Sequence, residues 1–100
     1  MHLILIDENL QGAIQKLNDA HLWTVDCCEG HFDDAFPNIY ISFVNNIRFS
    51  DAPEKFKLEN YGTIIRYMYK NTKSKKEFEK EKEEILKNLY KWVDEKIKNR

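Results

Sequence analysis

The chain predicts an α/β (α+β) fold: a single two-layer sandwich over residues 1–100, in the order β-α-β-β-(short α)-β-α, with a small mixed sheet and a long C-terminal helix. Three observations carry this expectation. Short runs rich in Ile, Val, Tyr and Phe alternate apolar and polar residues, as half-buried strands do. Two other segments repeat their apolar residues at spacings of three and four, the signature of a helix with one buried face. The length supports one core but not two, since a chain of this size buries only about two-thirds of its unfolded surface.

Residues 2–6, rich in Leu and Ile, suit a buried first strand. Asp7 or Asn9 then caps a helix whose Leu10, Ala13, Ile14, Leu17 and Ala20 fall on one face, ending near His21. Residues 22–28 alternate as a second strand, with Trp23, Val25 and Cys27 predicted to face the core and Leu22, Thr24, Asp26 and Cys28 the other side. Strand, helix and strand in this order predict a right-handed crossover between parallel strands, which places Asp7 beside Cys28. A third strand at residues 39–44 returns antiparallel to the second across a loop of about ten residues, long for a hairpin. Asp51-Ala52-Pro53-Glu54 suits the start of a short helix, and Asn60-Tyr61-Gly62 a turn. A strand follows at residues 63–70, with Ile65, Tyr67 and Tyr69 on one face against Ile64, Arg66 and Met68. Ser74-Lys75-Lys76-Glu77 reads as a capping box opening the last helix, where Phe78, Ile85, Leu89, Trp92, Val93 and Ile97 form the apolar stripe.

Bulk properties narrow the functional classes. No apolar run approaches the ~18 residues of a membrane span, so no membrane partner is expected. The first residues lack a basic stretch and turn acidic at Asp7, unlike a secretory signal, so a cytoplasmic location is expected. The two cysteines are adjacent, Cys27 and Cys28, and poor disulfide partners for each other; free thiols fit a reducing compartment. Net charge is −1 but unevenly spread: residues 1–52 hold eight acids against two cations, and residues 53–100 fourteen cations against nine acids. The acidic half is poorly suited to phosphate, and the basic half interleaves Lys with Glu as a solvated helix face does, so nucleic acid is not expected as a partner.

Chemically capable side chains concentrate in Thr24-Val25-Asp26-Cys27-Cys28-Glu29-Gly30-His31. Cys28 and His31 form a Cys-x-x-His unit that suits zinc, with Cys27, Asp7, Asp33 or Asp34 available to complete the shell. The same residues could supply a thiol nucleophile with His31 as base. Gly30 permits a turn whose backbone N–H groups converge on a small anionic ligand, His31 adding a donor. Against these stands a purely structural turn, with Cys27 in the core and Gly30 supplying the bend.

The run Trp23-Thr24-x-x-Cys27-Cys28-Glu29-Gly30-His31, followed by Phe36-Pro37-Asn38-x-Tyr40-Ile41-x-Phe43, resembles uncharacterised small proteins of Gram-positive bacteria, their phages and mobile elements. The resemblance covers most of the chain and carries no established activity. A remoter likeness is to the wybutosine-synthesis tRNA methyltransferase family, whose Thr-x-Ser-Cys-Ser-Gly-Arg turn is approached by Thr24, Cys28 and Gly30. Asp26-Cys27, Glu29 and His31 depart from it, and the likeness implies strand-turn geometry alone.

The resulting expectation is a small intracellular ligand- or partner-binding protein, phage or mobile-element encoded. Its site lies at Asp7, Cys28, Glu29, Gly30 and His31, and it takes a small anionic ligand or a host protein. The alternatives are a metal- or thiol-dependent hydrolase or transferase using those residues, with zinc on Cys28 and His31, and a host-enzyme-binding protein with a structural turn.

Overall fold

The computed structural model describes residues 7–70 and 74–99. The strand expected at residues 2–6 lies outside the described residues, and with it the parallel crossover and the mixed character of the sheet. The four strands described, β1 (Thr24–Cys28), β2 (Asn38–Phe43), β3 (Lys57–Glu59) and β4 (Ile64–Met68), form one sheet in the order β1-β2-β4-β3. Every pairing among them is antiparallel. Helices α1 (Glu8–Asp19) and α2 (Lys75–Lys98) make the second layer of an α+β sandwich, the last helix being the long one. Among the described residues, no helix is long and apolar enough to cross a membrane.

Helix α1 buries Leu10, Ala13, Ile14 and Leu17, the residues its spacing selects. It ends in a Schellman arrangement: His21 N–H donates to the Asn18 carbonyl (3.0 Å) and Leu22 N–H to the Leu17 carbonyl (2.8 Å). His21 takes the left-handed conformation (φ 64°) that normally falls to glycine. Helix α2 is capped by Ser74, whose Oγ accepts from Glu77 N–H (3.1 Å). Its buried residues are Phe78, Ile85, Leu89, Trp92 and Val93, joined by a lysine, Lys82. The sheet gives the core Ile39, Ile41 and Phe43 from β2 and Ile65 and Tyr67 from β4, with Tyr69 following.

Two expectations are corrected. Trp23 and Val25 do not face the core; each is about half exposed, and Trp23 stacks on His21. A β-bulge between Thr24 and Asp26 inserts Val25 as an extra residue, so Thr24 pairs with Phe43 and Cys27 with Ile41, both core-facing. One inserted residue reverses the facing of everything before it, and Cys27 still packs against the core. The short helix expected at Asp51–Glu54 is a turn closed by Phe56 N–H on the Pro53 carbonyl (2.9 Å). It leads into β3, a three-residue edge strand, and then a single 3-10 turn at Asn60–Gly62.

Candidate binding site at the end of strand β1

Strand β1 ends at Cys28, and Gly30 bends the chain with φ 81°. A side chain on Gly30 would meet the Asn38 carbonyl oxygen and the Tyr69 ring, each 2.6 Å from an ideal Cβ, so close packing also requires glycine. Asp7 arrives from the start of α1. It stands at the helix N-cap without capping the helix through its side chain. Its Oδ2 instead accepts from Glu29 N–H (2.9 Å) and lies 3.6 Å from His31 Nε2. Asp7, Glu29, Gly30 and His31 are thus together.

Glu29 is buried, although sequence places it at a loop mouth where a carboxylate ordinarily faces water. Four partners hold it. Its Oε2 accepts from Asn9 Nδ2 (2.7 Å) and lies 3.3 Å from Lys82 Nζ. Its carbonyl accepts from the Tyr69 hydroxyl (2.7 Å), and its N–H goes to Asp7. Lys82, also buried, donates to the Gly30 carbonyl (3.0 Å). Burying a carboxylate and an ammonium is tolerable only with such complete pairing. Sequence reasoning missed Lys82, Tyr69 and Asn9 as members of this clasp. A signal existed for Lys82: the apolar stripe of α2 jumps from Phe78 to Ile85, and Lys82 fills that gap on the same face.

The geometry bears on each chemistry expected of the turn. The N–H groups flanking Gly30 are already engaged by the protein's own carboxylates, Glu29 N–H by Asp7 and His31 N–H by Asp34 (2.9 Å). An external anion would have to displace them. Both thiols are held protonated at neutral pH. Burial, then Asp26, pushes Cys27 up to about 11. Burial raises Cys28 as well, assisted by Asp7, Asp34 and Glu29 and opposed by its hydrogen bond with the Gly30 backbone. A nucleophilic cysteine requires the opposite surroundings. Asp7, Glu29 and His31 bring one ligand-capable atom each within 4.8 Å of one another, whereas Cys28 belongs to no such group among the described residues. The Lys82 ammonium beside Glu29 places a fixed positive charge next to any cation bound there.

Beyond the turn the chain forms a second feature. The 31–34 segment closes on itself, Asp34 N–H donating to the His31 carbonyl (3.0 Å) while Asp34 accepts from His31 N–H. It then runs along a cleft of about 440 Å³. One wall is the loop, with Asp34, Phe36 and Pro37; the other is Met68, the last residue of β4, with Tyr69 and Lys70 after it. Phe32 and Phe78, in edge contact at 5.8 Å, also line it, and Tyr69 N–H bonds the Pro37 carbonyl (3.1 Å), joining the two walls. Phe36 is 78% exposed and Met68 51%, and both line the cleft.

A scan against protein-family models found no match, and searches of curated proteins and of solved structures found none either.

Proposed function

We propose that this protein is a small binding domain in which the Cys28–His31 turn is the scaffold and the loop it launches is the contact surface, its cleft accepting an apolar group. The observation that carries the reading is the exposure of Phe36 and Met68 over a cleft whose size is that of small-molecule and side-chain pockets. The clasp supports it. A buried Glu29–Lys82 pair contributes little net stability compared with apolar residues of the same volume, but it fixes the direction in which the loop leaves the sheet. Tyr69 links the two features, its hydroxyl on Glu29 and its ring in the cleft. Raised thiols and internally satisfied turn amides favour binding at the cleft over thiol chemistry or anion capture at Gly30.

Indole is a suitable probe, followed by NMR of the Met68 methyl group. Saturable displacement of that resonance is expected, weakened by Phe36→Ser at unchanged melting temperature. A Met68 resonance that does not move up to the solubility limit of indole overturns the reading.

A further inference from the structure

We infer that the protein carries a second binding site, for a monocarboxylate with an apolar tail, in the concavity between residues 46–49 and the C-terminal end of α2. This concavity has a volume of about 340 Å³, in the range of small-ligand pockets, and shares no lining residue with the cleft at Phe36. Its floor is apolar: Leu22 is buried, and Ile47 and Phe49 pack against the core. The floor is also fixed in place. Ile47 N–H donates to the Val44 carbonyl (2.9 Å) and Phe49 N–H to the Gly62 carbonyl (2.9 Å), while the Phe49 ring is in edge contact with Phe43 and Trp92, each at 4.8 Å.

The charge around this floor has one sign. Arg48 and Lys96 line the concavity, the remaining lining residues are asparagines, and no carboxylate takes part. The two cations are not equivalent. Lys96 is already answered by Asp51, which is not part of the lining, with Nζ 2.7 Å from its carboxylate and 5.6 Å from the Trp92 ring centroid. Arg48 is exposed and has no carboxylate within 4 Å among the described residues; its side chain donates only from Nε, to the Asn45 carbonyl (3.3 Å). That leaves the two terminal amino groups of the guanidinium, a pair able to hold a carboxylate through two parallel N–H···O bonds. A carboxylate on Arg48 with its hydrocarbon over Leu22, Ile47 and Phe49 therefore answers both features of the concavity. A cation would meet Arg48 and Lys96 with like charge, and a neutral apolar molecule would gain nothing from the guanidinium.

The test compares three probes of equal tail length, octanoate, 1-octanol and octylammonium, titrated against the Ile47 δ1 methyl resonance below the concentration at which each aggregates. Octanoate is expected to bind about three- to tenfold more tightly than octanol, the range of one charge-assisted contact at an exposed site, and octylammonium more weakly than octanol. Arg48→Gln should bring octanoate down to the affinity of octanol and leave octanol unchanged. The substitution is at an exposed position, so folding is preserved and melting temperature checks it. Phe36→Ser should leave the octanoate titration at Ile47 unaltered, which separates this site from the cleft at Phe36. Equal binding of octanoate and octanol, or a silent Arg48→Gln, overturns the inference, as does an Ile47 resonance that octanoate does not move. Loss of the Ile47 response in Phe36→Ser also overturns it, because octanoate is then held at the other cleft; the reading of that cleft stands or falls separately, on indole and Met68.

Discussion

Gly30 meets two demands at once, a left-handed backbone and contact with both the Asn38 carbonyl and the Tyr69 ring, and no other residue type satisfies either cheaply. Gly30→Ala is therefore expected to destabilise the protein by at least about 2 kcal/mol in urea unfolding, the left-handed penalty and the overpacking adding together. His31 presents the contrary case. Its side chain is more than half exposed and reaches Asp7 only at 3.6 Å, so His31→Ala should change stability by no more than about 0.5 kcal/mol. Cys27 carries a pH dependence whose sign follows from its raised folded value. A thiol that ionises at about 11 in the fold and near 9.0 when unfolded stabilises the fold below pH 9, and that contribution is lost as pH rises towards 11. The stability difference between the native chain and Cys27→Ala should accordingly shrink from pH 8 to pH 11. A constant difference would show that the thiol does not ionise with the expected displacement.

The elements differ in how openly the sequence announces them. Helices α1 and α2, strand β4 and the Asn60–Gly62 turn lie where their residues point, because a period of 3.6 or 2 and a glycine turn are local signals. Strand β3 carries no such signal, because Lys57-Leu58-Glu59 is too short to show a period. The inward face of β1 departs from simple alternation at Trp23 and Val25 because a bulge depends on the partner strand, which no local pattern encodes. At the site, Asp7 was expected beside the turn from a crossover whose first strand lies outside the described residues; Asp7 meets the turn through the Glu29 N–H that its carboxylate accepts. Lys82 was not read, since a lysine in a Lys/Glu-rich helix looks solvated until its carboxylate partner is seen across the fold. The cleft was hidden for the same reason, being assembled from a loop, a strand end and a helix. Helix α2 also separates two energy scales. Trp92 is buried, in edge contact with Phe49 and donating from Nε1 to Asp51 (3.3 Å), so Trp92→Ala should cost roughly 3–5 kcal/mol. Ser74→Ala removes one cap bond at an accessible helix end and should cost about 1 kcal/mol. A reversed ranking in denaturant melts would mean that α2 does not dock through the Trp92 face.

Across the whole molecule, charge is divided between an acidic first half and a basic second half, and the pairs that span the two differ in burial. Lys16–Asp94 (2.8 Å) joins exposed side chains, where water and salt screen the attraction. Glu29–Lys82 joins the end of β1 to α2 in the interior, where screening fails and an orphaned charge cannot be rehydrated. Lys82→Met should therefore cost about 3–5 kcal/mol, because it leaves the Glu29 carboxylate buried with only Asn9 on its Oε2 and removes the donor from the Gly30 carbonyl. Adding Glu29→Gln to Lys82→Met should restore part of that loss, since a neutral amide does not need a cation. Raising salt from 0.05 to about 1 M should leave the Lys82→Met penalty unchanged, while any contribution from Lys16 measured as Lys16→Met disappears. If Lys82→Met instead costs no more than Lys16→Met, the Glu29–Lys82 pair is not what holds the turn. The turn is then held by Asn9, Tyr69 and Asp7, and the orientation of the loop beyond it does not depend on the Lys82 ion pair.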